Sequence, residues 1–416
     1  MSNTIYVYEN FSSEEPMLMG RLYIEAARGT EHHSFEFENE WLKSCGNTFV
    51  LDPDLFPVQG RQYPTGRKAT FGIFSDASPD RWGRVLMDRK ERFTADKENR
   101  KPRRLNAGDY LLGVYDETRM GAIRFKTDPD GTFLSDDRET AAPPWATLRT
   151  LEEASRNFEN EETALQEKWL NQLIKPGSSL GGARPKATVQ APDGSLWIAK
   201  FPSRKDEYNM GAWEKTAHDL ARLCGLNVTE SRLENFSKLG STFLTKRFDR
   251  EGNRRKHFAS AMTMLGKTDG ASAEDGSGYL DIVSFLKANG AAPKEDIAEL
   301  WKRIVFSMAI SNTDDHLRNH GFILQKKGWR LSPLYDVNPC EYGETLALNV
   351  NEYSNEISLD LAIEASVYYG LAKGQAEQFA AECIETVKNN WEKAAAKNGL
   401  SRGAIEYMRP AFSLCK

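Results

Sequence analysis

Residues 311–322 read SNTDDHLRNHGF, a run of acids, imidazoles and amides directly after an apolar helical pattern. Two chemistries fit these residue types. His316 and His320 stand four apart, the spacing of a zinc peptidase helix, whereas Asp314 and Asn319 stand five apart, the spacing of a phosphoryl-transfer loop. The zinc arrangement needs a continuous helix and a glutamate directly after the first histidine, acting as base. Leu317 occupies that place, Asn312 and Thr313 are poor helix formers, and Gly321 leads into the strand-like FIL. The histidines therefore read as residues that hydrogen-bond to hold a turn. In the phosphoryl-transfer arrangement the aspartate accepts the proton of the acceptor hydroxyl and the asparagine holds Mg2+. A second aspartate must follow on a nearby strand end, and Asp336 in LSPLYDV, beyond the strand pair FILQKKGWRL, is placed to supply it.

A nucleotide half should then lie upstream. Lys200 ends the alternating strand SLWIAK, in the manner of the strand lysine that contacts the α and β phosphates in V-A-I-K motifs. Such a lysine needs a helix carboxylate. Met210, Glu214, Ala217 and Ala221 share one helix face, so Glu214 lies in an apolar stripe, where a carboxylate is costly without a cation. The phosphate cover would be GSSLGGARPK at 177–186, whose glycines, serines and Lys186 precede a strand. It fits neither the Walker pattern nor G-x-G-x-x-G, because Ala183 stands where the former requires lysine. Its backbone N–H groups could still wrap a phosphate.

The elements that must position these residues can be read in outline. TIYVYE and HSFEFE alternate as half-buried strands do, and a helix follows with Ser78 as N-cap and Pro79 as its first residue. A helical stretch over about 146–174 ends at Pro176-Gly177. PKATVQA and SLWIAKF form a hairpin about an Asp193-Gly194 turn; a helix at about 206–224 and strands at 227–234 and 241–248 complete a mixed lobe. EDIAELWKRIVFSMAIS then puts Ile297, Leu300, Trp301, Ile304, Val305 and Met308 at helical spacing, and helices close the chain after 359. The expected parts are a β-rich subdomain over 1–145, a nucleotide-binding lobe over 146–255 and a helical catalytic lobe over 256–416.

Composition restricts the function classes. The chain has 416 residues, 40% of them hydrophobic and 28% charged, which suits a globular protein with two or three cores. No window reaches the roughly 18 apolar residues that a membrane span needs, and the amino-terminal residues lack the apolar core of a signal peptide, so a cytoplasmic protein is expected. Cys45, Cys224, Cys340, Cys383 and Cys415 are scattered and odd in number, which suggests inert packing residues rather than a disulfide framework. A net charge of −5 argues against broad nucleic-acid affinity, and RKPRR at 100–104 reads as a solvated loop.

Taken in order, SSLGGARPKATV, IAKFPS, LARLCGLNV, TKRFDR, NTDDHLRNHGF and LSPLYDV resemble the HipA family, serine/threonine kinases that are toxins of type II toxin–antitoxin modules. FGIFSDASPDRWGRVLMDR and DYLLGVYDETRMGAIRF resemble that family's amino-terminal region. The resemblance implies an α+β, two-lobed protein-kinase-like fold with a β-rich amino-terminal subdomain and a helical carboxy-terminal lobe. It implies ATP and Mg2+ as cofactors, Asp314 as catalytic base, with its neighbour Asp315 as the alternative, and Asn319 and Asp336 as metal ligands. Lys200, Lys186, Glu214, Ser179, Gly181, Gly182 and His316 would form the nucleotide-contacting set. Ser179, with Ser178 as its competitor, would be a regulatory autophosphorylation site. Partners would be a protein substrate, for which the family offers aminoacyl-tRNA synthetases as examples, and a small helix-turn-helix antitoxin through which alone DNA is contacted. A kinase-fold small-molecule phosphotransferase and an inactive corepressor remain the competing readings.

Overall fold

The computed structural model describes residues 2–27, 30–44, 49–66, 68–134, 142–160, 166–174 and 182–415. Two compact units result: Met1–Arg204 with Lys246–Ala259, and Lys205–Thr245 with Ser260–Lys416. The expected boundaries near 145 and 255 both fall inside the first unit.

In the first unit β1 (Ser2–Glu9), β2 (Met17–Ala27), β3 (Thr30–Phe37) and β4 (Ile123–Lys126) form an antiparallel sheet in the order β3-β2-β1-β4. The period-2 pattern decides which face is inside: Ile5, Val7, Leu22, Phe35 and Phe125 are buried, and Phe35 meets Phe71 and Phe74 edge-on. Helix α1 (Arg81–Lys97) begins two residues later than expected. Its N-cap is Asp80, whose Oδ1 accepts from Gly83 N at 2.8 Å, because the Ser78 hydroxyl is already donated to Phe74 O at 2.7 Å. The 100–104 loop is exposed, with Arg100 paired to Glu91 and Glu98 and Arg103 to Asp109. Helices α2 (Leu148–Phe158) and α3 (Gln166–Ile174) occupy the expected helical stretch; Pro176-Gly177, its expected end, lies outside the described residues.

Strands β5 (Lys186–Gln190) and β6 (Leu196–Lys200) pair from Lys186↔Lys200 to Gln190↔Leu196 about the Asp193-Gly194 turn. Gly194 has φ +82°, a conformation that glycine adopts without cost, and Asp193 Oδ1 accepts from Ser195 N and Oγ. The register sets Lys186 and Lys200 directly opposite, two like charges on one face. Asp80 answers one of them: Lys186 Nζ donates to its Oδ2 at 2.9 Å, both side chains buried. The returning segment 246–259 is held by hydrogen bonds to the backbone of residues 118–121 and by an ion pair to Asp116. Arg247 donates to Thr118 O and Arg119 O, Asp249 accepts from Gly121 N, and Arg255 grips Asp116.

In the second unit α4 (Met210–Leu223) packs beside β7 (Ser231–Glu234) and β8 (Thr242–Lys246), an antiparallel pair. Helices α5 (Tyr279–Asn289) and α6 (Pro293–Ala309) lead to the hairpin β9 (Gly321–Gln325) and β10 (Gly328–Leu331), and α7 (Lys373–Lys397) lies against α4 and α6. Pro293 at the first helical position and Glu295 and Asp296 in the first turn start α6. All six apolar residues singled out on α6 are buried. Among the described residues no helix is long and apolar enough to cross a membrane.

Asp80→Asn keeps an oxygen for the Gly83 N–H and removes only the charge that faces Lys186. It should cost about 3–5 kcal/mol, the usual price of a buried charge left alone, seen as a lower urea midpoint. Adding Lys186→Met should restore most of the loss; an unchanged midpoint in Asp80→Asn would show the pair to be energetically idle.

Candidate active site

The site in the second unit is built from the end of α6 and the loops on either side of the β9–β10 hairpin. Ser311, at φ +51°, turns the chain out of α6, and its hydroxyl donates to Ala411 O at 2.8 Å. Residues 314–320 are then loop, as expected, with His316 N bonded to Asp314 O and Asn319 N to His316 O.

The two adjacent aspartates have opposite surroundings. Asp315 is 2% exposed; Tyr279 Oη donates to its Oδ2 at 2.7 Å, Ser307 Oγ to the same oxygen at 3.4 Å, and His320 Nε2 lies 3.0 Å from Oδ1. Burial opposes its charge, but His320, Tyr279 and His316 outweigh burial and hold the carboxyl below the ordinary range. Asp314 is exposed. Partial desolvation, with the charges of Asp336 and Asp315, lifts its pKa, while His316 and Arg318 oppose the shift. Asn319 is buried, and its Nδ2 donates to Asp314 O at 2.8 Å, so its amide oxygen is the atom left to face a ligand.

Asp336 reaches this loop through Tyr335, whose hydroxyl donates to Arg318 O at 2.8 Å, and Leu334 N donates to Asn227 O at 2.8 Å. Asp336 has φ +56°, a left-handed conformation that costs a non-glycine residue about 1 kcal/mol and that occurs preferentially at functional sites. The Asp336 charge helps to raise the pKa of Asp314, and the oriented Asn319 amide oxygen and the buried Asn338 Oδ1, which lacks a hydrogen-bond partner, add oxygen atoms of the kind that a hard cation takes. Asn338 was passed over in the sequence; its signal is its place two residues beyond Asp336. Among the described residues there is no group of three or more His, Cys, Asp or Glu side chains that could hold a metal, and His320 faces Asp315.

A hollow of about 390 Å3 in the second unit is lined by Ser272, Thr313, Tyr342, Glu344, Thr345 and Asn355, among others; Thr313 directly precedes Asp314 in the chain. Its wall requires Gly343, where a Cβ would fall 2.0 Å from Thr313 Cγ2. A larger hollow of about 630 Å3 in the first unit is lined by Lys246, Arg247, Arg250 and Arg255. Arg247 and Arg250 are bound to Asp249 and Arg255 to Asp116, so these guanidinium groups are already engaged within the fold.

The remaining candidates lie elsewhere in each unit. Lys200 is the buried last residue of β6; Lys186, opposite, donates to Asp80 and to Gly182 O at 2.8 Å. Glu214 is 4% exposed, in the buried face of α4 formed with Ala217 and Ala221. Ser178, Ser179 and Gly181 lie outside the described residues.

An α+β chain with an aspartate–asparagine loop between a buried helix and a hairpin, and a further aspartate beyond it, has the architecture of the HipA toxins. The similarity extends to a solved structure: a HipA chain in a Shewanella oneidensis complex with HipB and operator DNA matches 99% of this chain and 96% of its own, with TM-score 0.67 and 16% identity. The model of the HipA-like C-terminal domain matches residues 178–391, and the chain belongs to the HipA family. Curated relatives include "Putative kinase Y4mE" of Sinorhizobium fredii, 27% identical over 38% of this chain and 41% of that protein. "Toxin YjjJ" of Escherichia coli is 24% identical over 46% of this chain and 45% of its own length. The chain thus spans about half the length of the first curated relatives it matches.

Asp315→Asn should destabilise the second unit by about 1–3 kcal/mol, since it breaks a buried hydrogen-bonded charge, while Asp314→Asn should leave stability unchanged. The Asp315 carboxyl is depressed in the folded state, so its contribution is present above the unfolded value of about 3.9 and is lost as pH falls through the lower folded value. Acid denaturation curves of the two variants check this: Asp315→Asn should flatten the fall in stability below about pH 4, and equal effects of both variants would overturn it.

Proposed function

We propose that this protein is a Mg2+- and ATP-dependent serine/threonine protein kinase acting as the toxin of a HipA-type module. One observation carries the reading: of two consecutive aspartates one is spent inside the fold, while the other is presented to solvent beside Asn319 and Asp336 with a raised pKa. Family membership and relatives whose names include kinase or toxin support it.

In this reading Asp314 accepts the proton of the acceptor hydroxyl, which enters through the hollow walled by Thr313 and Gly343. The raised pKa improves its match to that task. Asn319 and Asp336 would hold Mg2+, which supplies charge neutralisation at the phosphates. Lys200 would contact the ATP phosphates, Glu214 and Gly181 would belong to the same nucleotide-contacting set, and Lys186, held by Asp80 and bonded to Gly182 O, would position the start of its strand. His316 offers its unbonded Nδ1 to the nucleotide. Ser179, or its neighbour Ser178, is the proposed autophosphorylation site: a phosphoryl group there adds about −1.5 to −2 charge where ATP must bind and would switch the enzyme off. The protein substrate, with an aminoacyl-tRNA synthetase as the first to try, is to be found by labelling.

Asp314→Asn should lower phosphoryl transfer from labelled ATP by about 10²–10⁴-fold and Asp336→Asn should abolish it, both with unchanged stability. Wild-type turnover in Asp314→Asn, or label transferred only to small molecules in a cell extract, would sink the assignment. Mass spectrometry after ATP incubation should find phosphate on Ser179 or Ser178, with weakened ATP binding in the modified form.

The proposed antitoxin partner rests on the family and on the Shewanella complex, which is one of HipA with HipB and operator DNA. With net charge −5 the chain alone should bind duplex DNA weakly at physiological salt. A gel shift should therefore require an added helix-turn-helix protein; tight, sequence-selective binding by this chain alone would overturn the claim.

A further inference from the structure

Cysteines that look scattered in sequence converge in the second unit. Cys224 caps the carboxyl end of α4, Cys383 lies in the buried stripe of α7, and their sulfurs are 3.6 Å apart. The two helices are fixed in register at this place: Asn398, just beyond α7, donates to Thr216 Oγ1 at 3.1 Å and to Asp219 Oδ2 at 3.2 Å on α4. The sulfurs are therefore held in van der Waals contact by the packing around them. A disulfide needs an approach of about 1.5 Å more, to the bond length near 2.05 Å.

We propose that Cys224 and Cys383 are an oxidant-sensitive pair that closes to a disulfide and so covalently joins α4, the helix of Glu214, to α7. The accessibilities order the steps. Cys224 is partly exposed, whereas Cys383 is buried at 1% exposure. Hydrogen peroxide meets Cys224 first: its sulfur attacks one peroxide oxygen, the O–O bond breaks, and Cys224 sulfenic acid and water result. The Cys383 sulfur then attacks the sulfenic sulfur, the S–O bond breaks, and the departing hydroxide takes the Cys383 proton as a second water. One peroxide is reduced by two electrons and two thiols are oxidised to one disulfide. Contact with Cys224, then burial, push the Cys383 thiol up, so Cys383 is not the sulfur that meets the oxidant first; it is its contact with Cys224 that makes it the resolving partner. Cys415 is the third thiol in the neighbourhood, but its Sγ donates to Ala309 O at 3.4 Å and burial lifts it to about 12.

The experiment treats the full chain with stoichiometric hydrogen peroxide and maps it by non-reducing tryptic mass spectrometry. A mass loss of about 2 Da and a link between the peptides covering 223–232 and 374–388 are expected, with a melting temperature that rises and returns on adding reductant. Cys383→Ser should instead leave Cys224 as a sulfenic acid that dimedone traps, and Cys415→Ser should leave the link intact. A link from Cys224 to Cys415, or Cys224 running on to sulfinic acid in the wild-type chain, would overturn the proposal. Kinase activity is not the readout, so this result and the functional reading stand or fall separately.

Discussion

The buried carboxylate of Asp315 is the constraint from which the rest of the second unit's chemistry follows. A lone carboxylate inside a protein costs several kcal/mol, and here the cost is met from three directions: Tyr279 at the start of α5, Ser307 in the last turn of α6, and His320 at the threshold of β9. Those partners leave the loop between α6 and β9 little freedom. With residue 315 committed inward, its neighbour 314 lies at the surface, and the Asn319 amide, bonded to the Asp314 carbonyl, closes the loop into one shape. The reactive-looking aspartate is thus presented by the inert-looking one.

The first unit solves a comparable problem with charge of the other sign. The β5–β6 register forces Lys186 and Lys200 face to face, and Asp80 enters between strand and helix to neutralise the first of them. The same carboxylate caps α1, so one side chain fixes a helix start and a strand end together. That double use explains why the sequence points to the wrong cap. Ser78 has the right residue type one step before a proline, and only the tertiary contact with Lys186 reveals that Asp80 is worth more at the cap.

Much of the architecture was legible because it is periodic or chemically redundant. Alternation marked β1 and β3, apolar spacing marked α6, and Asp193-Gly194 marked the hairpin turn, since each is dictated by local geometry. The Asp314, Asn319 and Asp336 set was legible by spacing, but its arrangement was not. Nothing in DDH tells which aspartate is buried; that depends on Tyr279 and His320, residues 36 and 5 positions away from Asp315. The left-handed backbone of Asp336, the unbonded Asn338 oxygen and the Cys224–Cys383 contact are likewise products of packing between distant segments.

The chain leaves the first unit after residue 204 and re-enters it for residues 246–259. The re-entering segment fills positions that residues 116–121 cannot satisfy by themselves: Arg247 binds the carbonyls of 118 and 119, Asp249 the amide of 121, and Arg255 the carboxylate of 116. On a ribosome, where synthesis runs from the amino terminus, the first unit therefore cannot reach its finished state when residue 204 emerges. It must wait, with the partners of two arginines and one aspartate unmet, until the intervening stretch of the second unit has also been made. Completion of the two units is thereby ordered by translation, with the earlier part of the chain held back until a later part is delivered.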